Sequence, residues 1–329
     1  MKIRKKQRQV KVVIGISICL LLIMTVGYAA FSTNLAITAK GNINNYNAAW
    51  QLKKKVVTEG NGLYEDIYEP ERYIYRGSDP DNYIKFNNEL WRIIAIENDD
   101  SLKIIRNEIL TNKPFDELSN RLNSTYCQIS KSNGCGVFAK IDGIYQSPNN
   151  KYSGTVLNDS TLNTYLNNTY YYSLTENAKN EIIAHKFNIG AIDVLSETGN
   201  DSLEKNIASE KMYTWLGKIG LANATDALKA STNKNCVSAT DNMIDHKNTC
   251  NDSYFFTETH CWWWLINNHT REDTDTTSAA WIIYGNNIEG RVDGYSSRFA
   301  DGGVKPTVFL KPDIKLLGSG TETDPYIIK

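Results

Sequence analysis

An uncharged stretch near the start of the chain constrains the fold most, because it is long enough to cross a membrane. Residues 12–31 carry no charged side chain, and a helix of this length at about 1.5 Å per residue matches a bilayer core of roughly 30 Å. The basic residues before it, with no acidic residue among them, are Lys2, Arg4, Lys5, Lys6, Arg8 and Lys11. A basic flank followed by an apolar segment is typical of a secretory signal or a signal anchor. We therefore expect one N-terminal transmembrane helix within residues 1–31, with a cytoplasmic N-terminus.

Two fates of this segment remain open. Gly27 and Ala29 flank Tyr28 in the small-residue pattern that signal peptidase prefers, so cleavage after Ala29 would release the protein. The apolar stretch is also longer than a usual signal core, which favours its retention as an anchor. The sequence predicts either a single-pass membrane protein with an extracellular C-terminal domain or a secreted protein. In the first case the membrane is a partner through the N-terminal helix.

The charge of the remaining chain argues against nucleic acid as a partner. The whole chain has 36 basic and 37 acidic residues. After residue 31 there are 30 basic and 37 acidic residues, which is a net charge of −7. Phosphate contacts need a basic surface, so we expect no nucleic-acid partner.

Composition and pattern divide the chain into three parts. Residues 1–31 are the signal or anchor, residues 32–70 are polar and uneven and read as a stalk or linker, and residues 71–329 read as an extracellular domain. The alternative is two domains separated near residue 200, where a polar break occurs. We expect the single domain.

Strand patterns lie at both ends of this domain, with helical patterns between them. Residues 82–86 and 89–96 read as strands joined by an Asn-Asn turn, and residues 102–106 complete an antiparallel meander. The two helices expected in the middle run from Ser160 or Thr161 to Leu166 and over residues 176–187, the second capped by Thr175. The later strands are expected at residues 215–221, 262–266, 281–284 and 304–310. This order predicts an α+β domain whose terminal strands share one sheet.

Two disulfide bonds are expected outside the membrane, where neighbouring cysteines usually pair. Cys127 and Cys135 bracket a short turn-rich loop, and Cys236 and Cys250 bracket a second polar loop. These are the two predicted pairs. Cys261 is left over, and its state stays open.

A zinc site is the alternative use of the second cysteine group. His246, His260 and Cys261 lie near Cys236 and Cys250 in sequence. Only the step from His246 to Cys250 matches the spacing of usual zinc-ligand pairs. We therefore predict no metal site, and we expect no cofactor.

Catalytic motifs do not stand out. Ser-x-x-Lys occurs at Ser202 and Ser231, which is the chance frequency for a chain of this composition. The nucleophile elbow, the Walker loop, the dinucleotide fingerprint and the H-E-x-x-H helix are all absent from the sequence. We predict no catalytic residue.

The tryptophan triplet and the polar segment that follows it are the best candidate ligand site. In a strand, Trp262 and Trp264 face one way and Trp263 the other. One interpretation is that all three pack in the core, and the other is that one of them forms the wall of a ligand groove. Polar loops on a rigid scaffold often carry binding residues. The candidate ligand contacts are Trp263, Tyr284, Arg291, Asp293, Tyr295 and Arg298.

Several segments together carry a resemblance to a family. They are Arg72-Tyr73-Ile74-Tyr75-Arg76-Gly77-Ser78, Asn88-Glu89-Leu90-Trp91-Arg92-Ile93-Ile94, residues 162–168, 218–221 and 303–306, and the ending from Gly318 to Ile328. They resemble an uncharacterised surface-protein family of low-GC Gram-positive bacteria. The order Trp-Trp-Leu, polar stretch, Gly-Val-Lys-Pro and strand is also similar to C-type-lectin-like domains, including the ligand-binding target proteins of diversity-generating retroelements.

The resemblance implies a C-type-lectin-like α+β scaffold with its binding surface toward the C-terminus. It does not imply calcium-dependent sugar binding, because the Glu-Pro-Asn or Gln-Pro-Asp loop and the Trp-Asn-Asp strand of that subclass are absent. We expect an exported ligand-binding or adhesion module for a cell-surface glycan or protein. The alternatives are a cell-envelope enzyme of unknown reaction and a structural component of the surface or matrix.

Overall fold

Antiparallel strand pairs dominate the computed structural model of the chain. It describes residues 46–117, 136–146, 153–193, 202–236, 250, 252–256, 261–270, 279–286, 289–296 and 302–329. Asn47–Lys329 form one unit. The expected membrane segment at residues 12–31 lies outside the described residues. Within the described ranges, no helix combines the length and the apolar composition needed to cross a membrane.

Short helices and short strands make up this unit. The helices are α1 (Ala48–Lys53), α2 (Thr161–Thr164), a π-helix (Tyr165–Tyr170), α3 (Tyr171–Ser173), α4 (Glu176–Glu181), α5 (Ser202–Glu210), α6 (Ala224–Lys229) and a 3-10 helix (Tyr254–Phe256). The strands of the first half are β1 (Gly62–Glu65), β2 (Tyr73–Arg76), β3 (Tyr83–Phe86), β4 (Glu89–Ile96), β5 (Leu102–Arg106), β6 (Thr111–Asn112), β7 (Ile141–Gln146), β8 (Ser153–Val156), β9 (Ile182–Ile183) and β10 (His185–Asn188). Those of the second half are β11 (Ile192–Asp193), β12 (Thr214–Gly217), β13 (Ile219–Gly220), β14 (Cys261–Thr270), β15 (Ala279–Asn286), β16 (Glu289–Ser296), β17 (Gly303–Val304), β18 (Thr307–Leu310), β19 (Leu316–Leu317) and β20 (Tyr326–Ile328). The predicted α+β class is confirmed.

The predicted meander is also confirmed and forms the centre of a ten-stranded sheet. β3, β4 and β5 pair antiparallel in chain order. Asn87 and Asn88 between β3 and β4 have φ angles of 53° and 62°, the left-handed conformation that a two-residue hairpin turn requires and that asparagine tolerates. β18 pairs with β5, and β20 pairs with β3. Strands from both ends of the domain therefore share one sheet, as predicted.

A second sheet of six strands carries the tryptophan triplet. Its order is β16-β15-β14-β17-β6, and β11 pairs with the end of β14 at His269 and Thr270. Two glycines allow β17 to approach β14 closely. A Cβ atom on Gly302 would lie 2.1 Å from Nε1 of Trp264, and one on Gly303 would lie 2.6 Å from the carbonyl oxygen of Trp262. Larger residues at these positions would push the two strands apart.

One hydrophobic core joins both sheets to the middle of the chain. Trp91 on β4 and Trp263 and Trp264 on β14 are among its largest buried side chains. The ring of Phe115 lies edge-on, with its centroid 5.7 Å from that of Trp264 and 6.0 Å from that of Phe138. Edge-to-face pairs of this kind contribute about 0.5–1.5 kcal/mol each beyond the area that they bury.

The middle helix predicted over residues 176–187 ends earlier than expected. α4 stops at Glu181, and Ile182 and Ile183 pair with Leu310 and Phe309 of β18. The apolar spacing that suggested a longer helix is satisfied instead by two short strands. Long-range pairing with β18 overrides the local helical pattern, because β-branched residues pack well in a sheet.

The segment assigned to a stalk also differs from expectation in its second half. Ala48, Ala49 and Leu52 of α1 and Leu63 of β1 are buried in the core. β1 pairs with β2, which in turn pairs with β4. The packed unit therefore begins upstream of residue 71. The apolar residues in this polar stretch are too widely spaced to have indicated this from the sequence.

Candidate functional site

A cleft with a volume of about 130 Å³ lies where the large sheet meets β14 of the second sheet. Three cations, Arg92, Arg106 and Lys305, and four aromatic residues, Tyr83, Tyr254, Phe255 and Trp263, line it together with Ile105, Asn107 and Glu108. We call it the Arg92 cleft. Its residues come from β3, β4, β5 and the segment after β5, the 3-10 helix, β14 and the turn before β18, so tertiary folding alone brings them together.

The 3-10 helix supplies one aromatic wall of the cleft. The backbone N–H of Tyr254 donates to the carbonyl oxygen of Gly77 at 2.9 Å, which attaches this helix to the end of β2. Ser253 Oγ donates to the carbonyl oxygen of Ala227 in α6 at 3.1 Å. The predicted disulfide between Cys236 and Cys250 is confirmed, and it ties the chain just before this turn. Tyr254 and Phe255 are therefore held in place before any ligand arrives.

Trp263 forms the back of the cleft. Its side chain is 2% exposed, and its ring stacks on that of Phe255 at a centroid distance of 5.8 Å. Nζ of Lys305 lies 5.2 Å from the centroid of the Trp263 ring. Trp263 is therefore packed in the core and also lines the cleft.

Arg92 is a buried cation surrounded mainly by neutral acceptors. Its Nε donates to Oδ1 of Asn82 at 2.8 Å and its Nη1 to the hydroxyl of Tyr83 at 3.0 Å. The guanidinium lies over the rings of Tyr83 and Tyr254, at 4.0 and 4.6 Å from their centroids. Burial lowers the pKa of Arg92, although an arginine stays charged at neutral pH. These contacts fix the plane of the guanidinium.

The other two cations of the cleft are held by different partners. Nε and Nη2 of Arg106 donate to the two carboxylate oxygens of Glu89 at 2.9 and 3.3 Å, a bidentate pair. Nζ of Lys305 donates to the carbonyl oxygen of Asn107 at 2.6 Å. Lys305 belongs to the Gly-Val-Lys-Pro segment. The family resemblance includes this segment but assigns no ligand contact to it.

The backbone register places the remaining candidate contacts apart from Trp263. Tyr284 on β15 pairs with Trp262 and with Arg291 of β16, whereas Trp263 pairs with Ile283. The positions of Asp293 and Tyr295 follow Arg291 at intervals of two, so these four positions alternate with that of Trp263. Their side chains are not among those that the structure describes, and Arg298 lies outside the described residues. The sheet therefore groups four of the candidate positions and leaves Trp263 in the Arg92 cleft.

Cys127 and Cys135, the other predicted disulfide pair, lie outside the described residues. Cys261 is the first residue of β14. Since Cys236 and Cys250 are joined to each other, their sulfur atoms are engaged in a disulfide.

A largely buried set of charges lies in another part of the unit, and we call it the Arg72 cluster. Its four cations are Arg72, Lys103, Lys211 and Lys229, and its five carboxyl groups belong to Asp66, Glu69, Glu97, Asp226 and Glu210. Arg72 contacts Asp66 at 2.7 Å, Glu97 at 3.0 Å and Asp226 at 3.1 Å. The cluster joins the segment after β1 to β5 and α6, and each of its four cations forms an ion pair with a carboxylate of the cluster.

Cations of this cluster keep two of its acids ionised. Burial alone would raise the pKa of Asp226, but Lys103 and Arg72 lower it below its ordinary value. Burial would likewise raise the pKa of Asp66, and Lys229 and Arg72 lower it. The adjoining polar cavity measures about 40 Å³, which suits a single water rather than a ligand.

A third concave surface lies beside the π-helix. This groove has a volume of about 470 Å³ and includes Lys113, Tyr165 and Asn168. The side chain of Asn167 holds the π-helix in place, since it exchanges hydrogen bonds with both backbone groups of Ile219 at 2.9 and 3.1 Å. The groove is open and its polar residues are mostly exposed. A ligand bound there would keep more of its contact with water than a ligand in the Arg92 cleft.

Residues 99–312 match the model of one protein family, a domain of unknown function (DUF6273). The chain belongs to this DUF6273 family. Eight of the ten residues lining the Arg92 cleft lie inside the matched range, and Tyr83 and Arg92 precede it. No curated protein and no protein of solved structure shows significant similarity to the chain.

The sequence analysis missed Arg92, Lys305 and Tyr254 as site residues. One signal was present in β4, where Arg92 interrupts a run of apolar residues from Leu90 to Ile96. A charge in the middle of a buried strand needs compensation or has a function. The packing of the 3-10 helix against the cleft corresponds to no comparable pattern in the sequence.

Proposed function

We propose that the chain is an exported surface protein whose globular unit binds a ligand through the Arg92 cleft, as a ligand-binding or adhesion module. The observation that supports this most is the convergence of rigidly held aromatic and cationic side chains on one preformed cleft. Concave sites with apolar walls and a few oriented polar groups are the usual form of ligand sites in proteins.

Export is supported by the N-terminal sequence and by the disulfide. A basic flank and an uncharged stretch over residues 12–31 fit a signal anchor or a cleaved signal. The bond between Cys236 and Cys250 fits an oxidising compartment outside the cytoplasm. Protease added to intact cells with a permeabilised wall should digest the domain, and full protection would contradict export.

Within the α+β class, we propose that the fold is a C-type-lectin-like scaffold of the surface-protein type. It is supported by the resemblance and by the position of the Gly-Val-Lys-Pro segment. Lys305 of that segment lies against Trp263 of the triplet, so two parts of the resemblance meet at one cleft. A cell-surface glycan or a protein is the corresponding class of ligand.

Binding is preferred over hydrolysis for a chemical reason. Among the described residues that line the cleft, Glu108 supplies the one carboxyl group. Hydrolysis of a glycosidic bond usually needs a pair of carboxyl groups on opposite sides of the bond. The cleft therefore has groups that orient a ligand and lacks, in its described lining, the second acid of that mechanism.

A binding screen of the full-length protein against glycans and cell-wall fragments tests the proposal. Lys305→Met should weaken binding by about tenfold, because it removes a charge-assisted hydrogen bond from the cleft. Asn168→Ala in the groove beside the π-helix should leave binding unchanged. The double variant Arg291→Ala, Arg298→Ala tests the surface predicted from sequence. Loss of binding in that double variant alone would move the site to β16, and turnover of a fragment would favour an enzyme.

A further inference from the structure

We propose that the Arg92 cleft recognises the carboxylate of an acidic sugar, a conclusion that rests on the proposed ligand-binding function and specifies its ligand. Four features of the cleft lead to this class: the weak counter-charge of its central cation, the orientation of that cation, the volume of the cleft and the polarity of its exposed walls.

The charged side chains of the cleft have both signs. Arg106 is paired with both carboxylate oxygens of Glu89. Glu108 places one negative charge on the wall that also carries Arg92 and Lys305, so its carboxylate would repel a bound anion.

Arg92 has a weak counter-charge among the described residues. Its nearest acidic oxygen is Oδ1 of Asp79, 3.6 Å from Nη2, on a side chain that is 73% exposed. Its closer partners, Asn82, Tyr83 and Pro80, offer neutral oxygens. A buried charge without a close counter-charge is costly to the fold, and a bound carboxylate would supply that counter-charge.

The guanidinium of Arg92 is already oriented. The rings of Tyr83 and Tyr254 hold it at 4.0 and 4.6 Å, so little side-chain freedom is lost on binding. A planar guanidinium fork matches the two oxygens of a carboxylate better than a point charge does.

The size and walls of the cleft favour a sugar acid over a peptide terminus. A volume of about 130 Å³ is below the roughly 300–1,000 Å³ of sites that enclose a whole drug-sized ligand. The cleft therefore takes one terminal or branching unit of a longer chain. Its exposed lining is more polar than apolar, which suits ring hydroxyl groups better than an apolar side chain.

Isothermal titration of the full-length protein with four probes tests this assignment. The probes are galacturonate, neutral galactose, glycerol 1-phosphate and N-acetylphenylalanine. We expect galacturonate to bind at least about tenfold more tightly than galactose, because a hydrogen bond to a charged group is stronger than a neutral one. Added salt should weaken the binding of galacturonate and leave that of galactose unchanged.

A variant that binds more tightly than the wild type is a clear test, because a misfolded variant would bind less tightly. Glu108→Gln on the exposed rim should strengthen galacturonate binding by about two- to fivefold, because it removes a like charge from the cleft. Glu204→Gln, an exposed acid on α5, is the matched control and should have no effect. Lys305→Met should weaken the binding of galacturonate by about tenfold.

Each contrary result has a defined meaning. Equal affinity for galactose and galacturonate, or no gain with Glu108→Gln, would overturn the carboxylate assignment and leave the binding module intact. Tighter binding of glycerol 1-phosphate or of N-acetylphenylalanine would replace the acidic sugar by that class. If no probe binds and the glycan screen is also negative, the proposed function itself fails.

Discussion

Glu210, the last residue of α5, accepts two hydrogen bonds from Thr225 in the first turn of α6. The backbone N–H of Thr225 donates at 3.0 Å and its hydroxyl at 2.5 Å. Burial raises the pKa of Glu210 from 4.5 to about 7. The folded state therefore binds this proton more strongly than the unfolded state does. The resulting stabilisation is complete below about pH 4.5 and is lost as the pH rises to about 7.

Glu210→Gln should abolish this pH dependence. Glutamine keeps an acceptor oxygen for Thr225 and cannot ionise, so the variant should be about 1–3 kcal/mol more stable than the wild type at alkaline pH. The difference should shrink as the pH falls toward the ordinary range of a glutamate. Urea unfolding across this pH range measures it, with Glu204→Gln on the exposed side of α5 as the control. A variant that is less stable than the wild type at alkaline pH would show that Glu210 is ionised there and contributes to stability.

Arg72→Met should destabilise the fold severely. The substitution leaves Asp66, Glu97 and Asp226 without their shared cation, and removal of one partner from a buried ion pair costs about 3–5 kcal/mol. The matched control is Lys53→Met, whose pair with Asp100 lies at the surface. There the expected loss is below about 1 kcal/mol. Similar losses in both variants would contradict a structural role for the Arg72 cluster.

The double variant Cys236→Ser, Cys250→Ser should lower the free energy of unfolding by about 3 kcal/mol. The disulfide closes a loop with a sequence separation of 14, and a loop of about this length accounts for that magnitude. Because Cys250 precedes the 3-10 helix that carries Tyr254 and Phe255, ligand binding should weaken as well. Thermal unfolding with and without dithiothreitol checks the first effect. A wild-type melting curve that dithiothreitol does not change would show that this bond does not stabilise the fold.

The turn between β3 and β4 offers a local test of the meander. Asn88 has a φ of 62° and is exposed, so Asn88→Ala should cost about 1–2 kcal/mol, because alanine lacks the short polar side chain that lets asparagine adopt the left-handed conformation. Asn88→Gly should stay within about 0.5 kcal/mol of the wild type, since glycine adopts positive φ freely. Chemical denaturation of both variants measures this. Equal losses would indicate that the asparagine side chain, and not its backbone conformation, stabilises the turn.

The Arg92 cleft shows how far a sequence pattern can lead toward a site. Trp263 was a candidate contact from the sequence because it stands in a dense aromatic run whose alternation places it on one face. Arg92 and Lys305 come from distant segments, and each is an ordinary charged residue in its local sequence. Their relation depends on the pairing of β5 with β18, and the periodicity of a strand does not identify its partner.

The features that depend on neighbouring residues were predictable from the sequence alone: the meander, its Asn-Asn turn, the α+β class and the pairing of Cys236 with Cys250. Local turn chemistry and short loop closure act between residues that are close in the chain, so they leave a readable pattern. Three features depend on the three-dimensional fold: the end of α4 at Glu181, the burial of α1 and the assembly of the Arg92 cleft. In each of these, contacts between distant segments outweigh local preference, because burial of apolar area and of charge depends on partners that meet only when the chain folds.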